Sequence, residues 1–166
     1  MRYFLLLPLL CMLSSCGFKP VYKQSGAPTE LDQRLKSVDV TLLRGTRAEQ
    51  IFSSELADLL DPQSKATAKP YLLELQYKRD EQPAIVQQDR TITRFRIILI
   101  GSYVLKDKAT GKVLNKGSAT QRVTYDDLTN EFANYSAQTD SEQRAARELA
   151  EQIRQRLLGY FNKAYQ

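Results

Sequence analysis

The chain has no histidine, and its two cysteines both fall within the first sixteen residues. Without histidine, the commonest general base and the commonest metal ligand are missing. The sequence contains no Gly-rich phosphate loop, no nucleophile elbow and no metal-spaced set of carboxylates. An enzyme built on this chain would have to work through Ser, Lys and carboxylates alone. A spanning helix needs ~20 apolar residues. The apolar run Phe4 to Leu13 is ten residues long and is interrupted by Pro8 and Cys11.

That short run fits the core of an export signal, with Arg2 as a minimal positive region ahead of it. The small residues Ser14 and Ser15 follow, then Cys16. Leu13-Ser14-Ser15-Cys16 matches the lipobox of bacterial lipoproteins, in which small residues let a peptidase reach the bond and the thiol takes up lipid. The expectation is a signal peptide over residues 1–15 and a Cys16 carrying S-diacylglycerol and an N-palmitoyl chain. Two or three chains make such an anchor effectively permanent. Cys11 would leave with the leader and Cys16 would be acylated, so no thiol would remain for a disulfide, a nucleophile or a metal site. Gly17 stands where enterobacterial sorting rules place Asp for inner-membrane retention. By that resemblance the protein belongs at the outer membrane, lipid-anchored on the periplasmic side, with the inner leaflet as its support.

The 151 residues from Cys16 onward are enough for one domain that buries roughly 70% of its extended-chain surface. The formal net charge is +5, and losing Arg2 leaves +4 in the side chains. A basic chain often meets nucleic acid. Export argues against that partner, because the abundant polyanions of an envelope are phosphorylated lipids and lipopolysaccharide.

Residues 16–36 read as a lipidated N-terminus and tether, with Gly26 and Pro28 in its polar part, and residues 37–166 as a single domain. Val38, Val40 and Leu42 alternate with polar neighbours and predict a first strand. Thr46-Arg47-Ala48-Glu49 is a capping box. Ala48, Ile51, Phe52, Leu56, Leu59 and Leu60 follow it at helical spacing, up to Asp61-Pro62. Tyr71 to Lys78 alternates as a second strand. Arg79 to Arg90 is polar, contains Pro83, and reads as a loop or frayed hairpin end. Thr91 to Leu105 is the longest strand. Asp107 to Lys112 forms a hairpin turn with Gly111 able to take positive φ. Val113 to Tyr125 returns as a fourth strand. Asp126 to Ala137 reads as a connector with helix possible from Asn130, and Thr139-Asp140-Ser141-Glu142 is a second capping box. The helix that follows carries Ala145, Ala146, Leu149, Ala150, Ile153, Leu157 and Phe161 on one stripe.

These elements predict an α/β (α+β) two-layer sandwich, order β-α-β-β-β-α. Two helices cover one face of a four-stranded, mostly antiparallel or mixed sheet. On the long strand, Arg94 and Arg96 share the second face with Ile98 and Ile100. Two isoleucines there mean either that another protein meets them or that the long loop covers them.

Cys16-Gly17-Phe18-Lys19-Pro20-Val21-Tyr22 resembles the mature start of the LPS-assembly lipoproteins of the LptE family, in particular its α-proteobacterial branch. The run Ala145 to Leu157 is similar to that branch's C-terminal helix, and Tyr103-Val104-Leu105 with the Thr110-Gly111 turn fits the family's strand order. The resemblance implies a two-helix, four-strand sandwich that plugs the lumen of an LptD-type outer-membrane β-barrel. It also implies that the protein helps assemble that barrel, binds lipopolysaccharide, and forms with the barrel the translocon that inserts lipopolysaccharide into the outer leaflet. The role is binding rather than catalysis, with no cofactor beyond the lipids on Cys16 and no metal. Planar-fork recognition of lipid A phosphates suits Arg. By charge clustering, the candidates are Arg90, Arg94 and Arg96 on or beside the long strand, and Lys78, Arg79 and Arg122 on neighbouring elements. These cations could instead form a solvated sheet face or meet acidic residues of the barrel wall. Two other classes stay open: a free periplasm-facing lipoprotein acting as an envelope scaffold or lipid-binding module, and an envelope hydrolase, which the lack of His and free Cys disfavours.

Overall fold

A computed structural model describes residues 30–62, 68–86, 92–126 and 130–164. Cys16, the expected leader and Arg90 lie outside the described residues. The chain enters through helix α1 (Glu30–Lys36) and strand β1 (Val38–Val40), then helix α2 (Arg47–Leu60). Three long strands follow, β2 (Tyr71–Val86), β3 (Ile92–Asp107) and β4 (Val113–Asp126), and helix α3 (Glu131–Ala164) closes the order. The sheet runs β1-β2-β3-β4. β1 lies parallel to β2, and the other two pairings are antiparallel.

The expected sandwich is present, with one helix more than expected and an order of α-β-α-β-β-β-α. The stretch read as tether up to Lys36 is helical from Glu30. Leu31 and Leu35 stand one turn apart and Leu35 is buried. Arg34 reaches back 2.7 Å to Glu30. Fewer than two full turns leave too little periodicity to read.

At α2 Thr46 is the N-cap, its Oγ1 accepting from the Glu49 N–H at 3.3 Å. Ser53 is buried on the inner side of α2. Its hydroxyl accepts from Leu43 N–H at 3.0 Å and donates to Gln50 O, which ties the β1–α2 connection to the helix. Asp61 ends the helix, and its buried carboxylate lies 3.3 Å from Lys69 Nζ.

The region read as a loop from Arg79 is strand as far as Val86, with its register slipping between Pro83 and Val86. The proline is tolerated for a positional reason. Leu73 O accepts Thr41 N–H on the outer edge of β2, and Pro83 has the same parity, so its missing N–H would have faced that edge. The β3–β4 turn forms as expected. Gly111 takes φ 70°, and Asp107 Oδ1 accepts from both the Thr110 N–H and its hydroxyl at 2.8 Å.

α3 begins eight residues before the expected capping box. Asn130 Oδ1 accepts from Phe132 and Ala133 N–H at 3.0 and 3.2 Å and caps the helix there. Thr139 to Glu142 therefore lies inside the helix.

α2 and α3 pack side by side on one face of the sheet. The core between the layers joins Phe52 and Leu56 of α2 to Leu149, Ile153, Leu157 and Phe161 of α3. From the sheet it takes Leu73, Leu75, Ile97, Leu99, Tyr103 and Leu105. Gly101 sits at the centre of this contact. A Cβ there would stand 2.9 Å from both Leu149 Cδ2 and Phe52 Cζ, so both helices depend on the absent side chain. We therefore expect Gly101→Ala to destabilise the fold by about 1–3 kcal/mol. In urea unfolding this would appear as a lower midpoint at an unchanged slope.

Candidate interaction surface

Side chains alternate along a strand, so the face opposite the helices is assembled from the even-numbered residues of β3 and β4 and of β2 as far as Gln82, beyond which the register slip brings Ile85 opposite Arg94. The register sets its rows. Ile100 lies between Lys78 and Thr120, Ile98 between Asp80 and Arg122, and Arg96 between Gln82 and Thr124. At the far end Arg94 lies between Ile85 and Asp126. Adjacent strands are about 4.8 Å apart. Lys78 and Arg122 therefore flank the two isoleucines from opposite sides, and Arg96 closes the row above them. Ile98, Ile100 and Val104 are half-buried, while Lys78, Arg96 and Arg122 are exposed. Because Arg79 to Val86 is strand, it cannot fold over this face as a covering loop.

Among the described residues, Lys78, Arg96 and Arg122 form no ion pair. Arg94 is committed: its Nε lies 2.6 Å from Asp126 Oδ1. The hydrogen bond and charge of Asp126 hold its guanidinium above the usual range.

Arg79, grouped with these cations by sequence, is on the other face. It lies next to Lys78 in a strand, so the two must point apart. Its Nε stands 3.2 Å from Glu142 on α3, and its NH2 2.8 Å from Glu81. Burial acts against its charge, but the Glu81 and Glu142 carboxylates outweigh that and raise its pKa. Tyr77 donates its hydroxyl to Glu142 at 3.2 Å, and Tyr125 donates to Glu81 at 2.5 Å. The cluster clamps the N-terminal half of α3 onto β2 and β4, and Gln121 of β4 adds bonds to Glu148 and Gln152. Of the six sequence candidates, then, Lys78, Arg94, Arg96 and Arg122 share a face and Arg79 staples the helix layer. Arg90 lies outside the described residues.

Sequence reasoning missed two exposed aromatics. Phe132 and Tyr135 sit one turn apart at the start of α3, 79% and 67% exposed. Ile85 is exposed at the same end of the sheet. They lie in stretches read as connector and loop, so no periodicity marked them. Among the described residues, no group of His, Cys, Asp and Glu is placed to hold a metal, and no helix is long and apolar enough to cross a membrane.

Residues 35–157 match the family described as LptE, lipopolysaccharide-assembly. The chain belongs to the LptE family. This is a family of non-enzymatic assembly lipoproteins, and membership implies a part in lipopolysaccharide assembly. An uncharacterized Rickettsia prowazekii protein is 27% identical over 161 residues, covering 97% of this chain and 98% of that one. Among solved structures, a Caulobacter crescentus chain named as a lipoprotein is similar at TM-score 0.64 and 24% identity, covering 81% of this chain and 97% of its own. The rare lipoprotein B of Shewanella oneidensis is similar at TM-score 0.61 and 11% identity, covering 78% of this chain and 98% of its own. At these identities the structures establish the shared LptE-like fold.

The clamp gives a pH prediction. Burial, then the charge of Glu142, holds the Tyr77 phenol above the usual tyrosine range. A raised folded pKa favours the protonated form. That stability is fully present below the unfolded tyrosine pKa of about 10 and is lost as pH rises beyond it. Thermal melts from pH 8 to 11 should therefore fall steeply above pH 10. Tyr77→Phe should flatten that fall while lowering the melting temperature at pH 8, where the bond to Glu142 is missed.

Proposed function

We propose that this lipoprotein, acylated at Cys16 and held on the inner leaflet of the outer membrane, sits in the lumen of an LptD-type β-barrel. There it would bind lipopolysaccharide as part of the translocon that delivers it to the outer leaflet. The observation that carries this reading is the open sheet face, where Ile98 and Ile100 are flanked by Lys78, Arg96 and Arg122, cations that form no ion pair among the described residues. Apolar side chains beside guanidinium forks match a ligand that joins phosphates to acyl chains. The exposed Phe132, Tyr135 and Ile85 supply a second apolar surface at one end of the domain, suited to a barrel wall. Arg79 contributes to this function by holding α3 rather than by touching ligand.

Family membership supports the assembly role, and the charge pattern supports the ligand. A charge-assisted hydrogen bond is worth ~1.5–3 kcal/mol. Arg96→Glu and Arg122→Glu should each lower lipopolysaccharide affinity about tenfold or more, read by titration with the purified protein, with the melting temperature near that of the parent. Arg94→Glu should weaken binding less, because Asp126 already occupies that guanidinium. Affinity unchanged in both Arg96→Glu and Arg122→Glu would refute this face as the lipopolysaccharide site.

A further inference from the structure

A second site lies on the helix side of the sheet, toward the β3–β4 turn. A cavity of about 440 Å³ opens there between the two layers. Tyr103, Asn115 and Gly117 line it from the strands, and Arg156, Gly159 and Lys163 from α3. Its size falls within the range of ordinary small-ligand sites.

Among the described residues, no carboxylate lines this cavity. Arg156 and Lys163 stand two turns apart on one side of α3, and neither forms an ion pair among the described residues. Tyr103 donates its hydroxyl to Asn115 Oδ1 at 2.9 Å, which fixes that amide and leaves its NH2 as the outward donor. Burial raises the Tyr103 phenol, and the charge of Arg156, exposed on α3, acts against it. Gly117 makes room for the Tyr103 ring: a Cβ there would meet its hydroxyl at 2.9 Å.

Gly159 is different. It occupies the body of α3, where glycine weakens a helix, yet a Cβ there would meet nothing within 4 Å. Packing does not demand it, and its lack of a side chain keeps the mouth of the cavity open. The cavity's lining thus brings the cations Arg156, Lys163 and Lys116 and the amide donor of Asn115 together, with no carboxylate among the described residues to answer them.

We propose that this cavity binds a phosphate monoester, with the Arg156 fork and Lys163 on its oxygens and the Asn115 amide on a third acceptor. A dianion with several acceptor oxygens matches a guanidinium fork and an ammonium better than a carboxylate does. The site is on the opposite side of the sheet from Lys78, Arg96 and Arg122, and the inference stands without the barrel reading.

The test uses the full chain in phosphatidylcholine nanodiscs, with the amide chemical shifts of Asn115, Gly117 and Gly159 as the readout. One arm adds glucosamine 1-phosphate. Another replaces part of the lipid with phosphatidic acid, and a third with phosphatidylglycerol, a phosphodiester. Saturable shifts with the sugar phosphate support a soluble monoester as ligand, and shifts with phosphatidic acid alone support a lipid headgroup. Silence with both, or equal shifts with phosphatidylglycerol, overturns the proposal. Because these amides report only this cavity, failure here is distinct from failure at the open sheet face.

Gly159→Glu supplies the second arm. The new carboxylate lies one turn from Lys163 and three residues from Arg156, at a position where nothing obstructs a side chain. The melting temperature should hold or rise while phosphate affinity falls about tenfold. Unchanged affinity in that variant would overturn the site.

Discussion

Two helices can cover only one face of a four-stranded sheet. Everything distinctive in this protein follows from that constraint and from the two-residue alternation of its strands. Phe52 of α2 and Leu149 of α3 meet over Gly101, and Ile97, Leu99, Tyr103 and Leu105 of β3 are sealed in the same core. The even-numbered residues then have nowhere to go but outward. That is why Ile98 and Ile100 stand beside Arg96 and Arg122 on an open surface, and why Arg79 and Lys78, neighbours in sequence, do unrelated work. The helix layer must also be oriented along the sheet. The Arg79–Glu81–Glu142 cluster does this at one end and the Tyr71–Phe161 ring contact at the other.

Much of this was legible in the sequence because it rests on periodicity. The alternation of Tyr71 to Tyr77, the Asp107–Gly111 turn and the stripe from Ala145 to Phe161 each impose a single local answer, and the structure has them where the pattern puts them. What escaped was set by context. α1 is too short to show a period. Pro83 looks like a strand breaker until one knows that it faces an unpaired edge. Asn130 caps the helix ahead of the Thr139 capping box, and the box then becomes helix body. Glu142, read as a capping residue, serves Arg79 and Tyr77 instead. The open face was visible as a mixture of Arg and Ile on one side of a long strand. Which basic residues belonged to it needed only strict alternation, which moves Arg79 to the other side. Phe132 and Tyr135 left no signal, because two exposed aromatics in a polar stretch carry no period.

Membership of the LptE family and the uncovered sheet face bear on one another. An assembly lipoprotein acts by contact, and an apolar stripe flanked by cations that form no ion pair among the described residues is the surface we propose for it. Stability and function are also kept apart in space: the residues that seal the core face the helices, and those proposed to meet lipopolysaccharide face away.

The most direct test of this account is site-specific photocrosslinking in intact cells, with the photoreactive residue placed at Ile100 or Thr120 on the open face and at Arg147 on the outer side of α3. Crosslinks to lipopolysaccharide are expected from the two open-face positions and none to it from Arg147. Lipopolysaccharide captured from Arg147 alone would contradict it.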